Sequence, residues 1–336
     1  MSSALLTEAV DYAESHETAM PVDLRQYLTD RFAGLEHQEL VGPIRPRGRP
    51  NGLLLRHGYI VAEWGDTERV DMTFSVTKSY LATVAGVAWG RGLLGDLDDP
   101  VGNRVRDGGY DSPQNAPITW RQTFQQTSEW EGTLFGKPDQ ADRREGVDRT
   151  LEAPGTFWEY NDVRVNRAAL SLLRVSREPL PQVLKREIMD PIGASDTWAW
   201  HGYETSWVEL DGDSVQSVSG GGHWGGGLFI HSRDHARFGL LISRDGRWGD
   251  RQLVPSEWIR EATTPSIEPT YGFMWWLNTD QARFPSAPES SVFALGAAST
   301  STIWIDPDHD LVMVSRWLDG PDVDELIRLI LAAVSR

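Results

Sequence analysis

The stretch Ser75–Arg91, SVTKSYLATVAGVAWGR, constrains this chain more than any other. Val76, Leu81, Val84, Ala85, Val87 and Ala88 recur at helical spacing, so the segment reads as a helix with much of its surface buried. A helix of that kind has to be enclosed by other elements, and 336 residues are enough to build the core that encloses it. Gly90 and Gly92 are natural stops at its end. Inside this apolar helix stands Lys78, one of only three lysines in the chain (with Lys137 and Lys185); every other basic residue is arginine. Ser75 lies three residues before it, so a helix puts both side chains on one face. A serine hydroxyl is a poor nucleophile until a base takes its proton. A lysine can be that base when burial and neighbouring charge lower its affinity for the proton. The helix N-terminus, with free N–H groups and a positive dipole end, favours the negative charge that develops there.

The rest of the chain divides by texture. Residues 4–18 and 22–36 read as helices, Pro43–Pro50 as a loop, and 52–65 as a β-hairpin turning at His57-Gly58. Residues 96–115 read as an irregular crossing, and 117–210 as loops with helical segments at 163–175 and 180–189. SGGGHWGGGLFI (219–230) is a glycine-rich turn leading into a strand, and 231–248 is a helix capped near Ser232. FMWWLN, SVFALGA, STSTIWID and LVMVSRW follow as antiparallel strands, the last two joined by a turn at Asp306-Pro307-Asp308, and an amphipathic helix ends the chain. Strands, a helical middle, strands and a final helix predict an α+β fold: an antiparallel sheet flanked by helices, with a helical insertion. The expected division is 1–95 with 215–336 as the sheet domain and 96–214 as a mostly helical domain, with the active-site cleft between them.

Composition removes whole classes of function. Without cysteine there is no disulfide, thiolate metal site or cysteine nucleophile. A net charge of -17 disfavours nucleic acid and anionic lipid, and predicts neutral or cationic ligands if the site shares that sign. The N-terminal residues lack a basic and then apolar leader, and no apolar run approaches about 18 residues, so the expectation is a cytoplasmic protein with no membrane partner. No G-x-S-x-G is present, which argues against an α/β-hydrolase elbow. His231 and His235 stand four apart on a helix but lack H-E-x-x-H and a third ligand, so they read as a partly exposed helix face. Asp306, Asp308 and Asp310 lack the glycine and distal glutamate of a calcium loop, and GGGHWGGG lacks the spacing of a phosphate loop. No metal and no cofactor is expected.

Tyr160, in TFWEYNDVRVN, is a second candidate for proton transfer; read blandly, it is a packed aromatic before a helix that Asp162 caps. FSVTKSYLATVAG, then YND, then HWGGGLFIHSRDHARFGLL, then ALGA before a terminal pair of strands together resemble the serine β-lactamase-related family over about residues 45–336. The likeness is to its class C-like branch, which holds esterases, D-aminopeptidase-like enzymes and aminohexanoate-oligomer hydrolases. The resemblance implies a β-lactamase/transpeptidase-like fold and acylation of Ser75, with Lys78 and Tyr160 sharing the acid and base work. Which of the two takes the serine proton is left open. The resemblance also implies an oxyanion hole formed by the N–H groups of Ser75 and Ala297, beside the retained Gly296. Two motifs depart from the family pattern. Asp162 stands where Tyr-x-Asn has asparagine, and Ala294-Leu295-Gly296 replaces Lys-Thr-Gly or His-x-Gly. The missing cation argues against efficient β-lactamase or transpeptidase activity and for a small ester or amide substrate without a carboxylate at that spot; a β-lactamase or D-aminopeptidase of the same mechanism is the alternative. A catalytically silent binding module is the reading from another class. Asp162, Leu295 and Trp224 are further candidates for substrate contact. Trp130, Trp158, Trp275 and Trp276 also lie near the motifs, and one or more of these tryptophans is expected to line an apolar cleft.

Overall fold

The computed structural model describes residues 1–334. Its main sheet has six antiparallel strands. In spatial order they are Trp276–Leu277, Val292–Gly296, Ser301–Asp306, Leu311–Arg316, Asn51–Arg56 and Tyr59–Trp64. The first and last parts of the chain thus meet in one sheet, where Asn51–Arg56 pairs with Leu311–Arg316. Alternation along these strands builds two cores. Leu53, Leu55, Ala294, Ile303, Ile305, Val312 and Val314 face a large core that also contains Val76–Ala88 and Phe238. Leu54, Phe293, Leu295, Trp304, Leu311 and Met313 face the other side, covered by the helices Ser3–Ser15 and Gly320–Val334.

Fewer residues of FMWWLN pair than the sequence predicts. Only Trp276–Leu277 is strand, because Met274 adopts φ 57° and turns the chain just before it. A second sheet contains a strand where helices and loops were expected. Ala199–Leu210 runs between Asp213–Val218 and Gly227–Ile230, and Asp71–Met72 pairs with the outer side of Gly227–Ile230. Its register shifts between Gly202 and Trp207, and that bulge scrambles the alternation by which a strand is recognised in sequence.

Helices were placed more closely. Leu24–Arg31, Asp162–Ser176 and Leu180–Leu184 fall where periodicity put them, the last continuing as a π turn over Lys185–Met189. The helix Ser232–Ser243 is capped by His231, whose ring accepts from the Asp234 N–H. His231 and His235 are both buried, contrary to the exposed face expected of them. The His235 ring bridges Tyr80 Oη and Thr73 Oγ1 at 2.8 Å each, polar partners that sequence spacing does not reveal. Among the described residues no helix is long and apolar enough to cross a membrane.

Candidate active site

The helix Val76–Gly90 is more enclosed than its periodicity predicts. Every residue from Asp71 to Ala88 is buried except Ser75, which is partly exposed. Ser75 occupies the N-cap position but does not cap: its φ/ψ of -69°/-8° is helical and its side chain makes no cap hydrogen bond. The hydroxyl is thereby free for Lys78, whose Nζ donates to Ser75 Oγ at 2.8 Å and to Gly220 O at 3.3 Å. Phe74, just before the serine, has φ 50°, a left-handed conformation that costs a non-glycine residue about 1–3 kcal/mol. Such strain persists only where the surroundings hold it, and Gly221 contributes here, since a Cβ on Gly221 would lie 2.1 Å from Phe74 O.

Asp162 completes the polar centre. Its Oδ1 lies 2.6 Å from Lys78 Nζ, and both side chains are almost fully enclosed. Burial alone would raise the Asp162 carboxyl, but the Lys78 ammonium, with His223 and Arg144, holds it below the usual carboxylate range. Asp162 is the first residue of its helix rather than its cap; Asn161 caps, accepting from the Val163 and Arg164 N–H groups. A Cβ on Gly222 would sit 1.9 Å from Asp162 Oδ2. The glycine run 220–222 is therefore the cover of the ion pair: its backbone lies where side chains cannot.

Tyr160 is 7% exposed and its ring centroid lies 4.9 Å from Lys78 Nζ. Burial pushes its hydroxyl well up, the Asp162 charge adds to this, and a hydrogen bond with Ser75 opposes it, so the phenol stays protonated. The ring stacks on Trp276 with centroids 5.5 Å apart. On the opposite wall, Gly296 ends its strand against the segment that carries Ser75: a Cβ there would lie 2.3 Å from Thr73 O and 3.2 Å from Ser75 N. Ala297, Ala298 and Ser299 all have positive φ, carrying the chain sharply away from that contact.

Four residues in the site escaped sequence reasoning. Asp142 accepts the Asp162 N–H at 2.7 Å, and burial followed by the Asp162 charge raises its carboxyl from 3.8 to about 8. His223 has Nδ1 3.5 Å from Asp162 and Nε2 4.0 Å from Asp142, and burial lowers it to about 4. Arg144 lies over the Tyr160 ring at 4.6 Å, and Arg283 over Trp276 at 3.8 Å. His223 was visible within the glycine run; nothing in the sequence pointed to the other three. Asp142, Asp162 and His223 offer ligand atoms within 4.8 Å of one another, but the Lys78 ammonium already serves as the cation of that cluster.

Ser75, Tyr160, Asp162, Leu295 and Ala297 all line a cleft of about 480 Å³. Of the tryptophans singled out, Trp276 lines it. Trp224 does not: it is fully buried and its Nε1 donates to Gln38 Oε1, so it is core rather than a substrate contact. Trp130 and Trp275 are buried likewise. The family model described as Beta-lactamase matches residues 56–334. The chain belongs to the beta-lactamase family. Solved structures share the fold of this beta-lactamase-family chain. A beta-lactamase from Mycobacterium bovis is 21% identical over 85% of this chain and 95% of its own, with a TM-score of 0.61. A family VIII carboxylesterase is 15% identical over 95% and 98%, with a TM-score of 0.63. A D-stereospecific amidohydrolase from Streptomyces is 17% identical over 83% and 92%, with a TM-score of 0.58.

Proposed function

We propose that this beta-lactamase-family chain is a serine hydrolase that cleaves small esters or amides through an acyl-enzyme on Ser75. The observation that carries the reading is the run of contacts from the partly exposed Ser75 Oγ to Lys78 Nζ (2.8 Å) and on to Asp162 Oδ1 (2.6 Å). In this reading Lys78 engages as the neutral amine once its proton has passed to water in the cleft, and the ionised Asp162 orients it across that short contact. The neutral amine then takes the hydroxyl proton as Oγ attacks the carbonyl carbon. The Ser75 and Ala297 N–H groups receive the oxyanion; losing one such donor costs on the order of 3 kcal/mol. Tyr160, kept protonated by burial, gives its proton to the leaving group and regains one from Lys78. If the chain divides at 1–95, 96–214 and 215–336, as we propose, then Ser75 and Ala297 come from one unit and Tyr160 and Asp162 from the other.

The fold neighbours include an esterase and an amidohydrolase, which supports the substrate class without choosing between its two members. The test is burst kinetics with a short-chain p-nitrophenyl ester, with intact mass after a fluorophosphonate probe, on wild type and Ser75→Ala. A burst and a single adduct, both lost in Ser75→Ala, are expected. A folded protein that gives neither would be a silent binding module, and the hydrolase reading would be withdrawn. Nitrocefin, run in parallel, reads β-lactam turnover.

A further inference from the structure

The cleft has two unlike walls. On one, Arg144 lies over the Tyr160 ring and Arg283 over Trp276. The two carboxyls of the cleft do not offset these cations: Asp162 is paired with Lys78, and burial keeps Asp142 protonated into the neutral range. That wall is therefore aromatic and cationic in a chain of net charge -17, so the site does not share the sign of the chain. The other wall is apolar. Met20, Tyr27, Leu28 and Phe32 line it together with Phe74. All but Phe74 precede residue 56, where the match to the family model begins.

This N-terminal segment is anchored to the body of the protein. Helical spacing puts Leu24 and Leu28 on one face of the helix Leu24–Arg31, and both are buried against Met72, Phe74, Phe229 and Trp317. Asp23 caps that helix, accepting from the Gln26 N–H. Arg47, itself 5% exposed, donates to Met20 O from Nε at 2.8 Å and from Nη2 at 2.6 Å, and pairs with Glu17. The Thr18 N–H donates to Trp317 O at 2.7 Å. Arg31 donates to Tyr27 Oη at 2.9 Å, and Phe32 closes the wall against His223 with ring centroids 4.8 Å apart. Ala297 packs against the same cluster, so the wall is fixed relative to Phe74 and Ala297 on either side of the reacting position.

We infer that the segment Met20–Phe32 is the acyl-binding wall of the site and selects esters or amides of an apolar carboxylic acid longer than acetate. The inference rests on the proposed hydrolase reading. When Ser75 Oγ attacks, the carbonyl carbon carries four groups in tetrahedral directions. Oγ takes one, the oxyanion points to the Ser75 and Ala297 N–H groups, and the leaving group faces Tyr160. The acyl chain takes the remaining direction, away from Tyr160, where the apolar wall adjoins Ala297. Each methylene buried there is worth about fourfold in kcat/KM, the equivalent of ~0.8 kcal/mol.

The test compares p-nitrophenyl hexanoate with p-nitrophenyl acetate, which share a leaving group. Water hydrolyses the hexanoate more slowly, so intrinsic reactivity opposes the expected preference. Wild type should favour the hexanoate by about 15- to 250-fold in kcat/KM, the range between half and full burial of four methylenes. Tyr27 and Phe32 are partly exposed, and Tyr27→Ala and Phe32→Ala should each lower that ratio by about 3- to 10-fold, whereas Phe32→Leu should keep most of it. A second ratio, p-nitrophenyl acetate against phenyl acetate, varies the leaving group and should stay constant in both alanine variants. A wild-type hexanoate ratio at or below one, or one that both alanine variants leave unchanged, overturns the acyl wall while the hydrolase reading stands. So does an equal fall in both ratios, which would mean that the segment only holds the site together. If wild type turns over no ester, the hydrolase reading fails and calorimetry on the folded protein decides the wall: hexanamide binding tighter than acetamide binding, with the difference lost in Phe32→Ala, supports it, and equal or absent binding overturns it.

Discussion

Asp142→Asn isolates the buried acid beside the Lys78–Asp162 pair and turns its raised pKa into a stability measurement. The carboxyl titrates near 3.8 when exposed and near 8 in the fold, because burial, and then the Asp162 charge, disfavour its ionised form. The folded state therefore holds a proton that the unfolded chain releases. Stability from this group is fully present below about pH 4, is lost as pH rises, and is exhausted above about pH 8. The slope is about 1.4 kcal/mol per pH unit, so between pH 5 and pH 7 the group removes about 2.7 kcal/mol. His223, lowered to about 4 by burial, has the opposite sign: its contribution is present above about 6.5 and is lost on acidification through about 4. In wild type the two slopes offset each other between about pH 4 and 6.5. The Asp142→Asn protein would lose the Asp142 slope and keep those of His223 and of the other histidines that burial lowers, His201, His231 and His235. Urea unfolding of both proteins at half-unit steps from pH 5 to 8 gives the quantity needed, the difference between the two stabilities. That difference should shift by about 2.7 kcal/mol in favour of the variant from pH 5 to pH 7. A difference constant to within about 0.5 kcal/mol across the series would mean that Asp142 is ionised in the fold, and the account of its environment would be wrong.

Three further outcomes follow from the same geometry. Gly222→Ala places a methyl group 1.9 Å from Asp162 Oδ2; it should lower ester turnover at least about 100-fold, read as kcat, because the ion pair must open. Tyr160→Phe should slow anilide hydrolysis by about 100-fold or more yet p-nitrophenyl ester hydrolysis far less, since p-nitrophenolate leaves without a proton; equal losses on both substrates would remove Tyr160 from the leaving-group step. Asp162→Ala leaves the buried Lys78 ammonium without its carboxylate and should cost about 3–5 kcal/mol in urea unfolding; a loss under about 1 kcal/mol would show that the lysine is neutral there.

What sequence could show was local. Helical spacing across Val76–Ala88 announces a buried helix, and i,i+3 spacing puts Ser75 and Lys78 on one face, because both follow from the geometry of a single element. Alternation in SVFALGA, STSTIWID and LVMVSRW likewise marks half of each strand for each core. Where local regularity breaks, the reading failed. The bulge in Ala199–Leu210 disguised a strand, and a positive φ at Met274 shortened another.

Tertiary structure alone decided the charge of the site. Asp142 and His223 are 81 positions apart in the chain, and Arg144 and Arg283 are 139 apart; each pair meets only because the fold brings distant segments to one cleft. Trp224 and Trp276 look equivalent as letters, but one is packed against Gln38 and the other lines the cleft. Net charge is a sum over the whole surface, whereas the field at Ser75 is set by the few groups withdrawn from water around it, where screening is weak and burial decides which of them stay ionised. The sequence by itself determined a buried helix bearing a serine and a lysine on one face, and an α+β sheet to enclose it. The fold determined that an acidic protein carries a cationic cleft.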